Sequence, residues 1–134
     1  MTGDRATGEH GAALAGLRVL VLEDEMLVAL LVEDMLAELG CIVVGPAASV
    51  TEALALLAAG PVDTALLDVN LSHGGTGYAV ADALAARAIP FAFVTGYGRV
   101  SLRAPHREGP ILQKPFRMEA LSRVLLTLAA VAGR

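Results

Sequence analysis

Between Leu17 and Val131 the chain alternates short unbroken apolar runs with longer segments whose polar residues gather on one side. Strands covered on both faces read as continuous leucine and β-branched runs, whereas surface helices keep a 3.6-residue period. Leu17 to Leu22 is the first such run. Glu25 to Leu39 follows as a helix with Glu33, Asp34 and Glu38 on one side, stopped by Gly40. Cys41 to Ala47 predicts a second strand, and Ser49 caps a helix running through Glu52 to Ala59. Gly60-Pro61 closes that helix before a third strand, Thr64 to Asp68. Tyr78 to Arg87 reads as helix, Pro90 leads into a fourth strand ending near Thr95, Ile111 to Gln113 makes a fifth, and Met118 to Val131 a last helix. Strand and helix alternating at this spacing predict an α/β fold with a doubly wound parallel sheet.

Two stretches depart from the rhythm. Between the fourth and fifth strands, Gly96, Gly98, Pro105, Gly109 and Pro110 leave no clean window for a full helix, so the fourth helix of the repeat is expected to be short or irregular. Residues 1–16 mix Gly, Ala and charged residues without a period and predict a flexible leader ahead of a domain spanning 17–132. A chain of 134 residues holds one core, and an apolar content of 55% excludes disorder of the whole. The formal charge of −4 and the lack of a cationic run exclude a nucleic-acid surface. Glu33 and Asp34 interrupt the most apolar helix before it could span a membrane, and the polar N-terminus does not read as a signal peptide, so a cytoplasmic protein is expected. The single cysteine, Cys41, reads as a core thiol.

In an open parallel sheet the residues that end the strands converge on one crevice. Here strand one ends in Glu23-Asp24, strand three in Asp68, strand four in Thr95 and strand five in Lys114-Pro115. Carboxylates that meet there repel one another unless a cation is present, and an all-oxygen set suits Mg²⁺. With the carboxylates kept ionised, one is free to attack a phosphoryl group while Lys114 shares the developing charge and Thr95 donates its hydroxyl. An acidic loop after strand one would repel the phosphates that Gly-rich cradles attract, which argues against nucleotide or flavin binding. The loop Gly74-Gly75-Thr76-Gly77 lacks the Lys-Ser/Thr of a phosphate cradle and reads as a turn. His10, His73 and His106 lack metal-ligand spacing and are expected to be solvated.

Across residues 17 to 132 these motifs resemble the receiver domains of two-component response regulators: Glu23-Asp24 in VLVLEDE, Asp68 in ALLDVNL, Thr95 in FVTGYG and Lys114-Pro115 in ILQKPF. The resemblance implies a five-stranded sheet of flavodoxin-like order 2-1-3-4-5. It implies Asp68 as phosphoacceptor for a histidine kinase or histidine phosphotransfer protein, with Mg²⁺ held by Asp68, Asp24, Glu23 through water, and the backbone carbonyl of Asn70. Lys114 and Thr95 would contact the phosphoryl group, and the bond before Pro115 would be cis. Such a switch catalyses its own phosphorylation and dephosphorylation and is no metabolic enzyme.

Typical receivers carry an aromatic switch residue where this chain has Ile111. The string IPFAFVTGYG with ILQKPF instead resembles the single-domain FAT GUY subfamily, with Val94 in place of its Ala. That likeness makes Tyr97 the candidate switch aromatic and implies a remodelled fourth helix. Leu27 and Leu30 fall on the polar side of the first helix, and receivers generally dock such a helix on the helical bundle of a kinase or phosphotransfer partner. The alternative is a protein-binding module of the same fold that works without phosphorylation.

Overall fold

A computed structural model of the chain describes residues 9–96 and 109–133. In chain order the elements are α1 (Glu9–Leu14), β1 (Arg18–Leu22), α2 (Met26–Glu38), β2 (Ile42–Ala47), α3 (Val50–Ala59), β3 (Thr64–Asp68), α4 (Tyr78–Ala86), β4 (Phe91–Thr95), β5 (Ile111–Gln113) and α5 (Met118–Val131). The strands form one five-stranded sheet in the order β2-β1-β3-β4-β5, every pairing parallel. The segment expected to hold the irregular helix, with Tyr97, lies outside the described residues.

Strand alternation divides the interior into two cores. Val19 and Val21 of β1, Leu66 of β3 and Val94 of β4 pack on one face with Val32, Met35 and Leu36 of α2 and Leu121, Leu125 and Leu128 of α5. Leu20, Leu22, Leu67 and Phe93 point to the other face, against Ala53 and Leu57 of α3 and Val80, Ala81 and Leu84 of α4. A central strand needs apolar side chains toward both faces, which is why Val19 to Leu22 of β1 and Ala65 to Leu67 of β3 read as unbroken runs. Ser49 caps α3 as expected, its hydroxyl accepting the Glu52 N–H at 3.1 Å. Cys41 is buried.

The expectation that residues 1–16 stand outside the fold is corrected for its second half. Residues 9–14 are helical, α1 packs on α5, and Leu14 and Leu17 belong to the core shared by Val19, Leu36, Leu125 and Leu128. The Gly16 N–H also donates to the Gly40 carbonyl at 2.8 Å. Six residues rich in Gly and Ala are too few to display a helical period, and the two leucines that anchor them gain their meaning only from α5.

The loop from β3 to α4 is short and closed. The Gly77 N–H donates to the Val69 carbonyl at 3.0 Å and the Leu71 N–H to the Gly75 carbonyl at 3.1 Å, pairing Asn70 with Thr76. Gly77 has an ordinary φ of −83°, so its backbone conformation does not require glycine. Space does, because a Cβ there would collide with the Asp68 carbonyl. Gly77→Ala is therefore expected to destabilise the fold by about 1–3 kcal/mol through overpacking beside Asp68. Equilibrium urea unfolding checks this, and the mutation acts without any change in helix cap chemistry.

Candidate functional site

The carboxyl ends of β1, β3 and β4 open on one edge of the sheet, and β5 delivers Lys114 to it. The Glu23 N–H donates to the Ala47 carbonyl at 2.9 Å, which extends β1 by one residue and fixes where its acidic pair begins. Asp68, the last residue of β3, is 3% exposed and lies beside Val94 of β4 in the register. Thr95 is buried at the end of β4, and its carbonyl accepts the Lys114 N–H at 2.8 Å. The bond between Lys114 and Pro115 is cis.

Lys114 ties the acidic groups together. Its ammonium stands 2.9 Å from Glu23 Oε1 and 3.0 Å from Asp68 Oδ1. Glu23 Oε2 accepts the Glu25 N–H at 3.0 Å, so both oxygens of Glu23 are engaged. Burial, and then hydrogen bonding and charge repulsion from Glu23, push the Asp68 carboxyl up to about 7 against the pull of Lys114. Burial disfavours the Lys114 cation, but its bonds to Glu23 and Asp68 outweigh this and raise its pKa.

Asp24 is held differently. Its Oδ2 accepts the backbone N–H of His73 at 2.9 Å and lies 3.1 Å from the His73 ring nitrogen Nδ1. Burial works against its ionised form, yet the backbone and side-chain bonds from His73 and Ser72 prevail and keep its pKa below the usual value. Its other oxygen, Oδ1, is buried with no hydrogen-bond partner.

Glu23, Asp24 and Asp68 each offer an oxygen within 4.8 Å of the others. A closed set of hard oxygen donors that includes a buried, unpartnered carboxylate oxygen fits a small divalent cation. Asn70 sits two residues beyond Asp68, and neither bond that closes its pairing with Thr76 uses its own N–H or carbonyl.

The sequence motifs thus bring Glu23, Asp24, Asp68, Thr95 and Lys114 to one edge. Leu27 and Leu30, 80% and 50% exposed, lie on α2 just beyond it, joined by exposed Met26 and Leu31. His73 is solvated as expected, its ring 84% exposed, yet that ring lies 3.1 Å from Asp24 Oδ2. Nothing in local sequence marks that contact, which spans 49 residues.

The chain matches the response regulator receiver domain over residues 19–125. It is 32% identical over 121 residues to the phyllosphere-induced regulator PhyR of Methylorubrum extorquens, covering 88% of this chain and 45% of that protein. The chain therefore spans about half the length of that curated relative. The solution structure of SdrG from Sphingomonas melonis Fr1 superposes with a TM-score of 0.74 at 40% identity, over 90% of this chain and 98% of SdrG. The BeF3-activated conformation of SdrG from Pseudomonas melonis Fr1 gives a TM-score of 0.75 at 43% identity, over 86% and 98% of the two chains. A strand-end acidic cluster bridged by a lysine, on a sheet of this order, accords with these likenesses, and the chain belongs to the response regulator receiver domain family.

Proposed function

We propose that the protein is a phosphorylation switch whose Asp68 accepts a phosphoryl group from a phosphohistidine of a histidine kinase or histidine phosphotransfer protein. The observation that carries this reading is the state of Asp68: a buried carboxylate at an open sheet edge, 3.0 Å from an ammonium and within 4.8 Å of two further carboxylates. An Asp68 oxygen attacks phosphorus, and the bond from phosphorus to the donor imidazole nitrogen breaks. The nitrogen keeps the electron pair and takes up a proton. Water later cleaves the acyl phosphate to Asp68 and inorganic phosphate. Lys114 follows the charge from the carboxylate to the phosphoryl oxygens, and the Thr95 hydroxyl donates to one of them. Mg²⁺, held by Asp68, Asp24, the Asn70 carbonyl and Glu23 through water, would neutralise the carboxylates and the incoming phosphoryl group.

That SdrG has a BeF3-activated conformation supports the reading, since a tetrahedral fluoroberyllate on a carboxylate has the shape and charge of a phosphoryl group. Tyr97 remains the proposed aromatic that covers the phosphoryl group. The exposed ridge of Met26, Leu27, Leu30 and Leu31 beside the acidic edge is the proposed face for the phosphodonor protein. Among the described residues no helix is long and apolar enough to cross a membrane.

Incubation with Mg²⁺ and acetyl phosphate or phosphoramidate should add a single phosphoryl mass, seen by intact-protein mass spectrometry. The adduct should be absent in Asp68→Ala or in chelator. No adduct with small donors or with a panel of kinases would favour the phosphorylation-independent binding module.

Charge substitution of Leu27 and Leu30 should slow transfer from a protein donor about tenfold or more while sparing small donors, a loss of about 1.4 kcal/mol in transition-state binding. Equal loss with both donors would remove the docking role.

Stability in chelator should follow the raised pKa of Asp68. Between the ordinary aspartate value near 4 and about 7, the folded state binds more protons at Asp68 than the unfolded state does. The urea midpoint should therefore fall as pH rises through that window, and this part of the fall should vanish in Asp68→Asn. Added Mg²⁺ should restore the lost stability of the native chain.

A further inference from the structure

We infer that His73 is a positioning residue that splits the two oxygens of Asp24, reserving Oδ1 for a small divalent cation and holding Asp24 to single-oxygen ligation. The inference rests on the proposed cation site and concerns how this chain tunes it. Asp24 is 49 residues from His73 in sequence and its side chain is only 1% exposed, yet its two oxygens have opposite surroundings. Oδ2 faces the His73 N–H at 2.9 Å and the ring Nδ1 at 3.1 Å, and bonds from Ser72 add to the hold on Asp24. A carboxylate can only accept, so the proton in the ring contact sits on Nδ1. Oδ1 is buried and receives no donor. A buried, ionised oxygen left unpartnered beside Glu23 and Asp68 is costly, and the fold retains it where a cation would be its partner.

Three consequences follow from the geometry. The carboxylate plane is fixed by the contacts on Oδ2, so Oδ1 is presented without a search through rotamers. Ligand orientation by such outer contacts commonly changes metal affinity 10–100-fold. Because Oδ2 is occupied, Asp24 is disfavoured as a two-oxygen ligand. Calcium commonly uses carboxylates through both oxygens, whereas magnesium takes one oxygen per carboxylate at octahedral positions. His73 thus biases the site toward the smaller ion. It also ties the loop from β3 to α4, which carries Asn70, to the residue after β1. One contact therefore sets two groups of the same site.

The ring is 84% exposed, so its removal opens no cavity and the loop retains its own backbone bonds from Val69 to Gly77. The test is a titration of the full chain with Mg²⁺ and, separately, Ca²⁺, followed by amide chemical shifts, for the native protein, His73→Ala and His73→Asn. Asparagine places an amide donor near the position of Nδ1. The expected result is Mg²⁺ binding weakened about tenfold in His73→Ala, Ca²⁺ binding weakened less, and both restored toward native in His73→Asn. The unfolding midpoint in chelator, measured for all three, separates any loss of fold stability from the loss of ion affinity. Unchanged Mg²⁺ affinity in His73→Ala would overturn the inference, as would equal loss of both ions without rescue by asparagine. Absence of Mg²⁺ binding by the native chain would instead overturn the cation site itself, and this inference with it.

Discussion

Everything at the functional edge depends on holding like charges together in a place poor in water. Glu23 and Asp68 are both buried, and a lone buried carboxylate pair would favour the uncharged form or an open sheet edge. Lys114 makes the arrangement possible by standing between them, at 2.9 Å from one and 3.0 Å from the other. One ammonium cannot balance three carboxylates, and Asp68, whose pKa is raised first by its burial and then by Glu23, shows how little Lys114 compensates. The site is therefore poised to gain positive charge, which a small divalent cation would supply.

The sheet supplies the rigidity that such a site requires. Two separate cores, one under α2 and α5 and the other under α3 and α4, clamp the central strands from both sides. Glu23, Asp68 and Thr95 continue the ends of those strands, so their positions inherit the precision of the ladder rather than the latitude of a loop. The one loop that must approach closely is brought in by the absence of a side chain at Gly77, which lets the start of α4 lie against the Asp68 carbonyl. Opposite it, α2 begins immediately after the acidic pair and carries an apolar surface outward. The apolar ridge and the carboxylates thus share one edge of the molecule.

Much of this was legible in the chain itself. The strand and helix order, the Ser49 cap and the strand-end placement of Glu23-Asp24, Asp68, Thr95 and Lys114 follow from continuous apolar runs, a 3.6-residue period and cap and turn residues, which are local properties. The converging crevice follows from parallel topology. The α1 helix was not legible, because Leu14 and Leu17 are two apolar residues in a Gly/Ala segment until α5 gives them a surface to cover. Nor was His73, whose type and spacing resemble those of any exposed loop histidine.

The sequence by itself determined which residues end the strands and hence which chemical groups meet at one edge, since both are set by short-range pattern and the handedness of strand–helix–strand connections. Only the tertiary structure decided how those groups divide their bonds: Lys114 spanning Glu23 and Asp68, Glu23 spent on Lys114 and Glu25, and Asp24 with one oxygen held by His73 and the other left bare. Apart from the local bond from Glu25 to Glu23, those divisions depend on ångström-scale distances between residues 46 to 91 positions apart, where loop paths and burial set the outcome. Local pattern carries no information at that range, and the balance of charge that gives Asp68 its character exists only once the strands have closed.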